Sequence, residues 1–544
     1  MKRFLYIVAV FVVSLLLVGG MLLAALTSDK VETAAVQLAT KELSHALGTE
    51  VRVGAVEYRF PARLAIKDVY LEDRQGDTLA YVGLLYAHFS PLALHRGEIK
   101  FSHVRLEDVV ADVHQLPNST WNYAFLLPLF QSDKPKDDSP FRSVVKVKDV
   151  QLSNLRLRYN DLEARIPKAS MDLHELSAER LDAQIKDFQA EVTRYADKRV
   201  KPLTVESLKA HLIVTDSLLA FPTLTAQLPN SHLDLSGIEV KMSSKEKKDA
   251  LVAMTMDAEL MPSDIELFVP RLAKFKRKIE MRGHLSGTVD SLYFDNISVR
   301  YNKREVLRGE VSAVGLPDFS NPYLRANLQD FQTNAAQLQD FLSQLYGRPV
   351  KLPAQVHRLG TIHYRGLAEG RLHDLTLHGA FRTALGTIST DGSFRSDSLF
   401  QHMAYDARVV GRRFRLGRLM NHPQLNSMTL DITAKGEINE GAGNGDISAY
   451  VRELTYDGYT YNDLKIKGYV APKHYHGTFD INDPHCNMAF DGVVDLRDQN
   501  PEINFNLLCR HFDSEPITSG RSKLQTSFAL AVDMSGAKAD EMNG

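Results

Sequence analysis

From Val51 onward the chain is written in short runs of alternating apolar and polar residues, broken by Gly, Asn, Asp or Pro. Val51-Arg52-Val53, Leu233-Asp234-Leu235, Ile238-Glu239-Val240 and Leu464-Lys465-Ile466 are examples. A period of two sends alternate side chains to opposite faces of a strand, so this text predicts a mainly β chain with one apolar face. Helical spacing interrupts it at Asp264 to Lys278 (Ile265, Phe268, Leu272, Phe275), at Asn334 to Tyr346 (Leu338, Phe341, Leu342, Leu345, closed by Gly347), and at Phe414 to Met420. Three short helices cannot cover so many strands. A second sheet in a closed sandwich or a strongly bent sheet around an apolar groove would each shield the apolar face, and pattern alone leaves both open.

The N-terminus has a different character. Phe4 to Leu26 runs for 23 residues without a charge, enough helix to cross a hydrocarbon core of about 30 Å. Phe4, Leu5, Ile7, Leu15, Leu16, Leu17, Leu22 and Leu23 within it are the candidate membrane anchor. Lys2 and Arg3 precede it, which places the short N-terminus in the cytoplasm and the rest beyond the membrane. A cleaved signal peptide is the competing reading, but its apolar region is typically about 7 to 15 residues and Ala25-Leu26-Thr27 is a poor cleavage site. Ser28 then caps an expected plug helix with Val31, Ala34, Ala35, Leu38, Ala46 and Leu47 on one side and Gly48 at its end. Gln131 to Pro140, QSDKPKDDSP, reads as a loop. The expected organisation is therefore a cytoplasmic tip and transmembrane anchor (1–27), a plug helix with first strands (28–130), a loop (131–140), and an elongated β-groove with inserted helices (141–544).

Composition narrows the function. With 544 residues, 44% hydrophobic and 24% charged, most of the chain should fold. A net charge of -2 gives no basic field for nucleic acid. The chain contains no GxSxG, HExxH or Walker A phrase, so no catalytic residues are nominated and an enzyme is not expected. An envelope hydrolase remains as a third reading without a nucleophile. Gly441-Ala442-Gly443-Asn444-Gly445 looks like a phosphate cradle, but alternating residues follow it instead of a helix, and it reads as a flexible strand connection. His474, His476, His485 and Cys486 cluster in sequence; with 19 histidines such a cluster arises by chance, and no metal or cofactor is expected. Cys486 and Cys509 are the only cysteines and a candidate disulfide in an oxidising compartment, subject to their separation.

One phrase recurs: a short polar residue, an apolar one, any residue, another apolar one. Asp68-Val69-Tyr70-Leu71, His103-Val104-Arg105-Leu106, Asp149-Val150-Gln151-Leu152, Asn296-Ile297-Ser298-Val299, Asp374-Leu375-Thr376-Leu377 and Asp463-Leu464-Lys465-Ile466 are its copies. They suggest a sheet that grows by adding meanders, although the phrase is also a common way for strands to begin. The candidate groove lining follows from them and from one further strand: Val69, Leu71, Val104, Leu106, Leu233, Leu235, Ile238, Val240, Ile297, Val299, Leu375, Leu377, Leu464 and Ile466.

The ordered series of anchor, Ala46-Leu47-Gly48, Val51-Arg52-Val53-Gly54, Ile66 to Asp73, Gly97-Glu98-Ile99-Lys100 and Trp121-Asn122-Tyr123 resembles the start of the AsmA-like family. Leu224 to Leu233, LTAQLPNSHL, and Gly283 to Val289, GHLSGTV, resemble its TamB branch, the inner-membrane component of a translocation and assembly module. The resemblance implies a single-pass inner-membrane protein with its bulk in the periplasm, folded as a taco-shaped β-groove and related to bridge-like lipid-transfer proteins. It implies phospholipid acyl chains as cargo between inner and outer membranes. The alternative it carries is a scaffold that pairs with an outer-membrane β-barrel assembly partner. TamB-like chains are longer and end in a characteristic domain, so this chain reads as an N-terminal fragment or a short relative.

Overall fold

The computed structural model describes residues 40–41, 44–45, 47–59, 62–90, 99–126, 145–176, 180–194, 200–215, 217–241, 251–288, 290–315, 321–371, 373–397, 401–439, 442–497, 501–518 and 520–535. The expected anchor, most of the plug helix and the 131–140 loop lie outside them. No helix among the described residues is long and apolar enough to cross a membrane. The protein is mainly β, as the alternation predicts, and divides into two compact units, Met1–Val289 and Asp290–Gly544.

The first unit holds β1 (Val51–Arg52), β2 (Ala55–Arg59), β3 (Arg63–Glu72), β4 (Thr78–Phe89), β5 (Ile99–Val113), β6 (Val145–Tyr159), β7 (Leu162–Leu176), β8 (Arg180–Arg194), β9 (Leu203–Val205), β10 (Ser207–Thr215), β11 (Leu218–Gln227), β12 (His232–Lys241), β13 (Leu251–Leu260) and β14 (Ile279–Thr288). β1 and β2 both pair with β3, and β3, β4 and β5 form an antiparallel meander. β5 and β6 run parallel, so residues on either side of the expected loop share one ladder. From β6 to β8, and on through β10 to β14, neighbours are antiparallel, with β9 on the far end of β8.

Leu64, Ile66, Val69, Leu85, Phe101 and Val104 pack into one core. Leu47, the last helical residue before Gly48, packs with Val51, Leu71, Leu79, Val113, Tyr123 and Leu126 in a second. Leu47 thus buries its apolar side chain against the first strands.

The recurring phrase has a backbone meaning at three copies. Asp68, Asn296 and Asp463 adopt left-handed φ values of 53°, 49° and 50°, as do Asp108 (54°) and Asn154 (56°). Short polar side chains tolerate this conformation best after glycine, which is why Asp or Asn opens the phrase there. The ladder skips Asp68 and Gly83 between β3 and β4, and Gly83 and Asp108 between β4 and β5.

The second unit is an antiparallel meander: β15 (Ser291–Tyr301), β16 (Arg304–Val314), β17 (Tyr323–Asn334), β18 (Thr361–Arg371), β19 (Asp374–Thr383), β20 (Gly386–Ser396), β21 (His402–Phe414), β22 (Leu425–Asn439), β23 (Ala442–Tyr456), β24 (Tyr459–Ala471), β25 (His474–Asp483), β26 (Cys486–Asp495), β27 (Glu502–Asp513) and β28 (Gln525–Ser535). Its sheet is open: among the described residues β28 pairs with β27 alone.

Helix α1 (Ala335–Tyr346) follows β17 where its apolar spacing predicts it. The Asn334 side chain accepts from the Gln337 N–H at 2.9 Å, and Gly347 ends the helix at φ 64°. Helix α2 (Ala354–Arg358), α3 (Leu416–Met420) and α4 (Ser514–Ile517) are short connectors; α3 occupies the end of the expected Phe414 to Met420 segment, whose first residue closes β21.

The helix expected over Asp264 to Lys278 does not form. Two 3-10 turns, Pro262–Ile265 and Pro270–Lys274, stand there instead. Pro270 has no N–H for a continuous ladder and drives Val269 out of the helical region, to φ -129° and ψ 84°. The Gly441–Gly445 connection is also corrected: Ala442 to Gly445 belong to β23 and pair with β22.

Candidate functional site

Register defines the two faces of the second unit. Leu377 pairs with Ala368 and Gly392, and the row continues through Ala407, Ala434, Ile447, Gly468 and Gly477 to Gly492 and Phe505. Leu375 lies in the next row, between Gly370 and Phe394. Leu464 and Ile466 are on the same face, beside Ile481 and Phe479. Bulge residues apart, the residues in register on this face from Ile362 in β18 to Met534 in β28 include one charged side chain, Asp483.

The opposite face carries the charges. Arg395 meets Asp374 at 3.2 Å, Arg408 meets Asp431 at 2.6 Å and Lys435 meets Asp406 at 3.2 Å, each pair across neighbouring strands. These exposed pairs fix register more than they add stability.

The apolar face is half covered. Leu375, Leu377, Phe394, Ile466, Phe479 and Phe490 are all half-buried, while Phe528 and Leu530 on β28 are 42% and 44% exposed. Burial is deeper toward one end of the strands, where Leu430, Val451, Leu464, Ile481 and Cys486 form a core. In the first unit, Val69, Leu71, Val104 and Ile238 are buried, and Leu106, Leu233, Leu235 and Val240 half-buried. In the second, Ile297 and Leu464 are buried and Val299 is half-buried. The candidate lining residues thus differ in cover, those of β3 and β5 lying in or against a packed core and those of β19 along a half-open face.

Glycines line the apolar face, and sequence reading passed over them. A Cβ on Gly436 would lie 1.9 Å from the Asn444 carbonyl oxygen, and one on Gly366 would lie 2.3 Å from that of His378. Gly366 and Gly379 pair across β18 and β19, Gly436 and Gly445 across β22 and β23, and Gly468 and Gly477 across β24 and β25. Three tyrosines of this face turn their hydroxyls back to the backbone: Tyr364 donates to the Leu367 carbonyl (2.6 Å), Tyr405 to that of Asn444 (3.0 Å) and Tyr475 to that of Thr478 (2.7 Å). Their polar atoms are thereby satisfied and the rings remain as apolar surface. Burial raises the pKa of all three, so they stay neutral.

Asp483 closes one end of this face at 3% exposure. It accepts from the Tyr459 hydroxyl (2.6 Å), the Asn462 N–H (3.1 Å) and side-chain amide (2.9 Å), and the His485 N–H (3.0 Å). Burial pushes its carboxyl up, but these hydrogen bonds outweigh burial and hold it below the usual range. The carboxylate locks the turn after β25 rather than facing a ligand.

The cysteines sit on neighbouring strands as free thiols, each 1% exposed. Cys486 pairs with Phe512 and Cys509 with Met488, with a bulge beside them, so they do not oppose each other in register. Burial pushes the Cys486 thiol up to about 11, with Asp483 and Cys509 adding to the effect. His474 and His476 lie on the charged face, where His474 contacts Asp495 at 3.0 Å, whereas Cys486 belongs to the apolar face. The sequence cluster therefore does not converge, and no group of three His, Cys, Asp or Glu among the described residues is placed to hold a metal ion. No family model matches the chain, and no curated protein matches it.

Proposed function

We propose that this is an inner-membrane-anchored periplasmic protein of outer-membrane biogenesis that carries phospholipid along an apolar β-groove. The observation that supports it most is the half-exposed face running from β18 to β28, apolar but for the buried Asp483 at one end. A dry sandwich would bury Leu375, Leu377 and Phe394 fully; a groove leaves them waiting for an apolar occupant. Close glycine pairs such as Gly468 with Gly477 let adjacent strands fold sharply toward each other, as a strongly bent sheet requires. Acyl chains in such a groove leave water at about 0.8 kcal/mol per methylene, on the order of 20 kcal/mol for two sixteen-carbon chains. No catalytic residue is needed, and sequence nominates none.

The test is lipid extraction from the full chain purified in mild detergent, followed by mass spectrometry. Stoichiometric phospholipid is the expected result; protein free of lipid across detergents would refute the reading. A second reading, a scaffold for outer-membrane barrel assembly, has one observation in its favour. β28, QTSFALAVDMS, has 11 residues without Lys or Pro and pairs on one side only among the described residues, a form suited to strand addition.

A further inference from the structure

We infer that the polar face of β1 to β4 holds a second site, separate from the groove, that binds the zwitterionic headgroup of an ammonium-bearing phospholipid. A cavity of about 450 Å³ opens there, bordered by Arg52, Asp68, Tyr70, Tyr81 and the helical residue Thr40. Its polar side chains belong to the face opposite the core, because Tyr70 alternates with the buried Val69 and Leu71, and Val51 and Val53, which pack in the cores, also line it.

The cavity is lined by one cation, Arg52, and one anion, Asp68. Arg52 pairs in register with Tyr70 and lays its guanidinium on that ring, 4.3 Å from the centroid. Glu50 takes its Nε edge at 3.1 Å, which leaves the Nη edge to meet a phosphate. Asp68 lies two residues before Tyr70 on β3. Its left-handed backbone and the absence of a Cβ on Gly54 set it in place: a methyl there would lie 2.9 Å from the Asp68 Cβ. One Asp68 oxygen accepts from the Tyr81 hydroxyl at 2.8 Å. Tyr70 and Tyr81 pair across β3 and β4, so a cation at Asp68 also lies beside aromatic surface. With Glu50 already engaging Arg52, a purely anionic group would meet little net attraction and bring no cation to Asp68. A phosphate and an ammonium on one small group satisfy both ends.

The membrane placement rests on the proposed function. Thr40 follows Leu26 by 14 residues, so the cavity lies within about 50 Å of chain from the apolar run.

The test titrates the full chain in non-ionic detergent by calorimetry with dihexanoyl phosphatidylethanolamine, dihexanoyl phosphatidylglycerol and free phosphoethanolamine. The ethanolamine lipid should bind at least tenfold more tightly than the glycerol lipid and than free phosphoethanolamine. Asp68→Asn and Arg52→Gln should each lower its affinity tenfold or more. Asparagine tolerates the left-handed backbone at 68, and Arg52 is exposed, so both variants should fold. Wild-type affinity in Asp68→Asn would overturn the site. Equal affinity for free phosphoethanolamine would assign the cavity to a soluble compound and overturn the lipid headgroup. Co-purified lipid is measured on the same samples: if Asp68→Asn keeps it while losing headgroup preference, the two sites are separate, as inferred. Wild-type protein without co-purified lipid that still prefers the ethanolamine headgroup would refute the groove and leave this site standing.

Discussion

Gly468 and Gly477 face each other across β24 and β25 so closely that a Cβ on either would lie 2.2 Å from a carbonyl oxygen of the other's strand. Gly477 also has φ +156°, where a side chain is strained whatever the space. Gly477→Ala should therefore destabilise the protein by about 1 to 3 kcal/mol through overpacking against backbone that cannot yield. Gly443, whose Cβ would meet the Ile438 side chain at 3.7 Å and the Glu437 carbonyl oxygen at 4.0 Å, both ordinary contacts, is the control: Gly443→Ala should be neutral or stabilising by up to about 1 kcal/mol. Urea unfolding of both variants checks the contrast, and equal effects would remove the special role of the pair.

The alternation that made the chain legible as β is local, and so is the capped helix from Asn334 to Gly347. The glycine pairs are not local. Gly436 and Gly445 are joined by one hairpin, but Gly392 reaches Ala407 and Ala434 only once two connections of different length have fixed the register. The parallel pairing of β5 and β6 is equally hidden, since a crossover leaves no period in the sequence. Pro270 is the local signal that outweighs the helical spacing around it, because it supplies no N–H to a continuous ladder. A period of two decides which side chains of a strand share a face; how deeply each is covered depends on neighbours from other strands.

Asp483 should make the second unit sensitive to acid. Its carboxyl is held below its unfolded pKa, so its stabilisation is complete above about pH 4 and is lost as pH falls through the folded-state value. Asp483→Asn places an amide among the donors of Tyr459, Asn462 and His485 and should cost about 1 to 3 kcal/mol at neutral pH. The loss should shrink toward pH 3. Thermal midpoints of both proteins between pH 3 and 7 measure this; parallel curves would show that the carboxylate charge contributes nothing.

Cys486 and Cys509 should resist alkylation in the folded protein. Both are buried, and the Cys486 thiol, pushed up to about 11, holds little thiolate at pH 8. Two equivalents of iodoacetamide should react in guanidinium and almost none without it. Failure to label either thiol in guanidinium until a reductant is added would instead show the disulfide.

The lipid path is tested at β19. Leu375 and Leu377 lie on the apolar face, opposite Phe394 and Gly392 of β20, and both are half-buried. Replacing both with Asp puts two unpaired carboxylates where acyl chains would slide, which should remove most co-purified lipid. Thr387→Asp is the control, since Thr387 is exposed on the other face between Arg382 and Arg412. That variant should keep full lipid and wild-type stability. Strand content by circular dichroism separates the outcomes for the double variant. Folded and empty of lipid, it supports the groove; unfolded, it assigns the two leucines to a dry core; folded with full lipid, it places the lipid on other strands.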